Sequence, residues 1–229
     1  MFDLEGYGPL LLYGAKLTVY VGVLSMAIAI VLGLIGMLGK ISASPVVRFL
    51  VNTYTTVIRG VPELVLILLV YYGAPTLIQD ISLLLGHPVY ISLNPFVSGV
   101  LTIGFIYGAF STEVFRGAYL AVPKGQVEAA RACGMSTALT FRRILLPQMM
   151  RFAIPGLGNV WMVLIKATAL ISVIQLPELM RSADIASRNT KKPFTFFLAA
   201  SLIYLGITII SNILQQWAEK RAGRGIRKA

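Results

Sequence analysis

A chain of 229 residues with 57% hydrophobic and only 13% charged residues carries about half the charge of a soluble domain, roughly 25%. That shortage excludes a soluble fold for most of the chain and points to a multi-helix membrane bundle. The net charge of +11 would suit a nucleic-acid partner, but the basic residues fall between long apolar runs. Such spacing serves membrane orientation instead, and no nucleic acid is expected as a partner. Cys133 is the only cysteine, so an intrachain disulfide is excluded and the redox compartment stays open. The first residues include Asp3 and Glu5 rather than the basic start of a signal peptide, so no cleaved leader is expected.

A spanning helix needs about 20 mostly apolar residues. Five stretches fit, at about 10–38, 62–78, 95–114, 152–174 and 194–217. Lys16 near the start of the first can snorkel to the interface. An amphipathic stretch from Val46 precedes the second, with Arg59-Gly60-Val61-Pro62 as the break between them. The fourth contains Lys166. Strands of a membrane barrel would alternate apolar and polar residues, and runs such as 21–38 do not. The expected fold is therefore an all-α integral membrane protein of five transmembrane helices. Gly33, Gly36 and Gly39 share one face of the first. Either they admit a second helix closely, or they reflect only the abundance of glycine in membrane helices.

Charge sets the orientation. Lys40, Arg48 and Arg59 follow the first span, and Arg116, Lys124, Arg131, Arg142, Arg143 and Arg151 lie between the third and fourth. Lys220, Arg221, Arg224, Arg227 and Lys228 form the tail. The 80–94 segment has no Lys or Arg. Positive residues concentrate on the cytoplasmic side, so the N-terminus is expected outside and the C-terminus inside. The 175–193 segment disagrees, carrying Arg181, Arg188, Lys191 and Lys192 against Glu178 and Asp184.

The long segment after the third span reads Gly125-Gln126-Val127-Glu128-Ala129-Ala130-Arg131-Ala132-Cys133-Gly134-Met135 and runs on to Ile144-Leu145-Leu146-Pro147. Its first half contains good helix formers, Gly134 supplies a left-handed residue to end a helix, and a second short helix carries Arg142 and Arg143. The pattern predicts an exposed helix–turn–helix knob of the kind that docks in a partner's groove. This segment resembles the EAA loop of ABC importer permeases. Glu128, Ala129, Ala130, Gly134, Ile144, Leu146 and Pro147 match every fixed position of that loop, which spans about 125–147 here. The resemblance implies a single ABC-transporter transmembrane domain over 1–229, with these seven residues coupling it to a cytoplasmic ATPase.

The resemblance covers essentially the whole chain. Arg59-Gly60-Val61-Pro62-Glu63-Leu64 is similar to the RGxP segment of polar amino-acid permeases. Glu113-Val114-Phe115-Arg116-Gly117-Ala118 and Val122-Pro123-Lys124-Gly125-Gln126 resemble that subfamily's approach to the EAA loop. Asn159 and Lys166-Ala167-Thr168-Ala169-Leu170 resemble its fourth-span motif, although many members have Asp and Ser at Ala167 and Ala169, so those two carry over no role. Pro62-Glu63-Leu64 most resembles permeases for histidine, lysine, arginine and ornithine. The resemblance implies an inner-membrane importer of two permeases, same or related, with two ATPases and an external solute-binding protein. ATP and Mg would then sit on the ATPases. This chain itself is expected to bind no cofactor and to be no enzyme.

Ionisable residues within a bilayer are costly and face a cavity or a partner. Glu63, Glu113 and Lys166 are the candidates for a substrate pathway. Glu63 either meets the cation of a basic amino acid or touches headgroup water. Glu113 and Arg116, three apart, can pair with each other. Lys166 can bind a backbone carbonyl, an acidic neighbour or a substrate carboxylate. His87 has no nearby Cys or acidic cluster, so no metal site is expected. The 33–42 stretch lacks the first glycine of a phosphate loop, since position 34 is Leu, and its Ser/Thr, since Ile41 follows Lys40. A membrane enzyme would need convergent catalytic groups, and one His with nine scattered carboxylates offers none. A self-sufficient channel or a secondary transporter, commonly built on an internal repeat, and a permease for another polar amino acid or amino-acid-like solute are the alternatives. Reporter fusions after Asn94 and after Ala229 should report opposite sides of the membrane; the same side for both would contradict five spans.

Overall fold

The computed structural model describes residues 4–87 and 89–223, so Asp3, Pro88, Arg224, Arg227 and Lys228 lie outside the described residues. Those residues form helices without strands. Five helical runs are long and apolar enough to cross a membrane. These are α1 (Gly8–Lys40), α3 (Glu63–Leu84), α4 (Pro95–Ala121), α6 (Thr137–Ile174) and α8 (Pro193–Ala222). Between them lie α2 (Pro45–Gly60), α5 (Lys124–Ala132) and α7 (Leu179–Thr190).

The runs outreach the apolar stretches that announce them. The fourth, expected at 152–174, starts at Thr137. Hydropathy stops at Arg142, Arg143 and Arg151, whereas the backbone needs only helix-compatible residues and a cap to continue. Side-chain caps and prolines fix several starts. Ser44 accepts from the Val47 amide at 3.5 Å before Pro45. Asn94 accepts from the Phe96 and Val97 amides at 2.9 and 3.2 Å before Pro95. Such caps satisfy amides that have no helical partner, and a first-turn proline has no amide to lose.

The core forms where α1 lies along α4. A Cβ on Gly33 would strike Ser111 and Phe115 of α4, and one on Gly36 would strike Thr112. From the other side, Gly104 faces Ile28 and Gly108 faces Leu32. The glycines therefore bring the two backbones together, as small residues do between membrane helices. Gly39, on the same face, abuts Val51 of α2 instead. Tyr54 pins α2 to α4 by donating to the Phe105 carbonyl at 2.6 Å. By contrast α3 buries only Ile67 and Ser82, while Leu66 and Tyr71 pack partly against the core.

At the opposite end, fully buried Glu178 joins three elements. Its carboxylate caps α7, accepting from the Met180 and Arg181 amides at 2.9 and 2.8 Å. It also accepts from the Tyr204 hydroxyl of α8 at 3.1 Å and the Thr18 hydroxyl of α1 at 3.4 Å. Burial pushes its carboxyl up from the usual range, against the hydrogen bonds that favour the charged form. The basic 175–193 segment is partly neutralised here. Asp184 holds Arg181 and Arg188 at 3.2 and 2.9 Å, and Lys192 pairs with Glu5.

Replacing Gly33 by Leu should cost about 1–3 kcal/mol of stability by overpacking, read as a lower thermal midpoint of the purified chain in detergent. Gly206→Ala, where nothing lies within 4 Å of the new Cβ, should cost nothing. Equal effects would contradict the close approach of α1 and α4.

Candidate functional site

The segment after α4 folds as a knob. Val122 and Pro123 leave the helix, and α5 carries Glu128 and Ala129 on its exposed side and Ala130 buried. Gly134 adopts φ +78°. The Gly134 amide donates to the Arg131 carbonyl at 2.9 Å and the Met135 amide to the Ala130 carbonyl at 3.1 Å, the paired bonds that close a helix on a left-handed glycine. No atom lies within 4 Å of a Cβ added at Gly134, so the positive φ alone demands glycine there. Ser136 then opens α6 by accepting from the Leu139 amide at 3.4 Å.

Ile144, Leu146 and Pro147 stand inside α6 rather than in a loop. Pro147 crowds the carbonyl four residues back and offers no amide. The helix responds by widening into a π turn over Phe141–Leu145, with the Leu146 amide bonding to the Phe141 carbonyl. Val122, Leu145 and Met149 pack with Met37 and Phe115 in one apolar cluster. The knob is therefore seated on α1, α4 and α6, not tethered loosely. A cleft of about 290 Å³ opens beside it, lined by Tyr119, Val127, Glu128 and Arg131 among others.

The second feature lies where α2 breaks from α3. Val61 and Pro62 are extended, with ψ of 137° and 133°, and the chain restarts at Glu63. The half-buried Glu63 carboxylate accepts from the Tyr107 hydroxyl of α4 at 3.0 Å. Tyr107 is 1% exposed and stacks on Phe110 with ring centroids 5.5 Å apart. The Arg59 guanidinium, last-turn neighbour of the same break, also packs on Phe110, at 5.4 Å from its centroid.

One turn further along α4, Glu113 gathers cations. It pairs with Lys40 at the end of α1 and with Arg116 Nε at 2.9 Å, and Arg59 Nη1 stands 4.0 Å away. The i,i+3 pairing of Glu113 and Arg116 was legible in the sequence, whereas Lys40 and Arg59 were not assigned to it. A cavity of about 370 Å³ opens between Lys40, Arg59, Phe110 and Glu113. Thus Phe110 touches Tyr107, which holds Glu63, and Arg59, which stands beside Glu113.

Lys166 is exposed between buried Ile165 and Ala167 and has no ion-pair partner among the described residues. Its helix tightens at once into a 3-10 turn over Thr168–Ile174, where the Thr168 hydroxyl donates to the Ile165 carbonyl at 2.7 Å. A charged side chain exposed within a span faces water or protein rather than lipid. The Gly33–Lys40 stretch is helix throughout, not a phosphate loop.

The family model for the binding-protein-dependent transport system inner membrane component matches residues 25–224. The chain is 42% identical over 226 residues to the histidine/lysine/arginine/ornithine transport system permease protein HisQ of Escherichia coli (strain K12), covering 99% of each. It is 47% identical over 223 residues to the nopaline transport system permease protein NocQ of Agrobacterium fabrum, covering 97% of this chain and 94% of that one. A crystal structure of an amino acid ABC transporter with histidines contains a chain that superposes with a TM-score of 0.82 at 31% identity, covering 96% of this chain and 99% of that one. With a family match over most of its length and relatives of this identity, the chain belongs to the binding-protein-dependent transport system inner membrane components, the permease subunits of ABC transporters.

Proposed function

We propose that this permease subunit forms the pathway of an ATP-driven importer of basic amino acids in a bacterial inner membrane. The observation that carries the substrate reading is the Glu63 carboxylate, fixed by Tyr107 at a backbone break where the span begins. In a region poor in water a carboxylate attracts a cation more strongly than in bulk. The permease relative named for histidine, lysine, arginine and ornithine supports the same class. Tyr107 holds Glu63 toward α4, and Pro62 prevents α2 and α3 from closing over it as one continuous helix.

The working assembly in this reading has two permeases, two ATPases holding ATP and Mg, and an external solute-binding protein. This chain binds no nucleotide or other cofactor. Its N-terminus lies outside and its C-terminus in the cytoplasm, as the distribution of Lys and Arg requires. The exposed Glu128 and Ala129 face of α5 meets the ATPase. Ala130 and Gly134 shape that face, and Ile144, Leu146 and Pro147 seat it. Displacement of α5 passes through Val122, Leu145 and Met149 into Phe115 of α4 and Met37 of α1. The bundle then rocks against its partner subunit, opening the pathway to each side in turn.

Two variants in the reconstituted transporter test this. Glu63→Gln removes a charged hydrogen-bonding partner worth about 1.5–3 kcal/mol. Uptake of arginine, lysine and protonated histidine should fall at least about tenfold, with uncharged amino acids little changed. Equal loss for every substrate would make Glu63 structural, and no loss would remove it from the pathway. Gly134→Val places a β-branched residue where φ is +78°, a conformation such residues avoid. ATP hydrolysis should continue while transport is lost, and normal transport would contradict the docking role of the knob.

A further inference from the structure

Lys40, Arg59 and Arg116 surround the single carboxylate of Glu113. Three cations against one anion leave two positive charges in excess, where α1 and α2 end beside α4. The three are not equivalent. Lys40 is nearly buried, with 9% of its side chain exposed, and it shares the Glu113 oxygens with Arg116. Arg59 stands off at 4.0 Å with 44% of its side chain exposed. It is held by its stacking on Phe110 and borders a cavity of about 370 Å³, a size within the roughly 300–1,000 Å³ of small-molecule sites.

Phe110 also stacks on Tyr107, whose hydroxyl holds Glu63. Phe110 therefore contacts both the tyrosine that holds a carboxylate and an accessible guanidinium. Tyr107 and Glu113 are six residues apart along α4, a rise of about 9 Å. A basic amino acid has the matching pattern, an α-carboxylate and a side-chain cation at opposite ends of a stem of three or four methylenes. Arginine guanidinium also recognises carboxylates in a two-pronged geometry that lysine cannot reproduce.

We propose that Arg59, backed by Lys40 and Arg116, receives the α-carboxylate of the amino acid whose side-chain cation Glu63 engages. The proposal rests on the reading of Glu63 as a pathway residue. The pair forms a bipolar site that reads both ends of the substrate across Phe110. Glu113 is a positioning residue in it, since its two oxygens are occupied in holding the cations together. The neighbouring Glu63 alone would accept any cation; Arg59 adds the requirement for an amino acid.

The test uses the complete permease–ATPase complex in nanodiscs, without binding protein. Direct binding is measured for arginine and for agmatine, which is arginine without its carboxylate. Arg59→Gln should weaken arginine about tenfold or more, the weight of one charged hydrogen bond, and leave agmatine unchanged. Arg59→Lys should restore part of the arginine affinity, which a folding defect would not allow. Weakening of both ligands alike, or of neither, by Arg59→Gln would overturn the proposal. Glu63→Gln tests the underlying reading separately: weakening of both ligands upholds it, and no weakening of either overturns it whatever Arg59→Gln does. A phosphate headgroup could occupy the same guanidinium, so each measurement is repeated with and without phosphatidylglycerol. Arginine binding indifferent to that lipid supports a substrate site. Competition by the lipid in the wild type that disappears in Arg59→Gln would assign Arg59 to the membrane and overturn it.

Discussion

The close approach of α1 to α4 at Gly33, Gly36, Gly104 and Gly108 is the contact on which the other features stand. With backbones this near, α4 becomes the most enclosed helix of the bundle, and it presents fixed side chains to everything around it. Tyr107 takes Glu63, Phe110 takes Arg59, and Glu113 takes Lys40 and Arg116. Phe115 receives the packing that descends from the α5 knob. The side chains that hold Glu63 and Arg59, and the residue that receives the packing from the α5 segment, thus lie on one helix.

The bilayer explains why charge is arranged as it is. A side-chain charge in a span needs a partner, a cavity or water. Glu113 has cationic partners, Glu63 has a hydroxyl and an open side, and Lys166 has exposure. Only Glu113 is saturated, so the remaining polar capacity collects beside the α2–α3 break and at Lys166. The least buried span, α3, begins at that same break.

Much of this was legible in the sequence because it depends on local rules. Apolar run length announced the five spans, Pro62 announced the break, and helix formers followed by Gly134 announced the knob with its left-handed turn. The i,i+3 spacing announced the Glu113–Arg116 pair. Long-range partners were not legible: Lys40 is 73 residues from Glu113, and Tyr107 is 44 from Glu63. No local pattern distinguishes these from other Lys and Tyr residues. Glu178 looked like a partial counter-charge in a basic loop, and only tertiary packing turns it into a buried junction of α1, α7 and α8. The early start of α6 was hidden because charged residues end a hydropathy window without ending a helix. One signal was present and went unread. The π turns at Leu69–Gly73 and Phe141–Leu145 each end two residues before a proline, Pro75 and Pro147, as the lost amide and crowded carbonyl would require.

The central claim is that α4 holds the Glu63 carboxylate in a protein-lined pathway. A cryo-electron-microscopy structure of the assembled transporter with arginine tests it most directly. The account predicts Glu63 and Tyr107 on the wall of a space between the two permease subunits, with ligand density reaching from Glu63 past Phe110 toward Arg59. Glu63 turned onto acyl chains, with ligand density elsewhere, would contradict it.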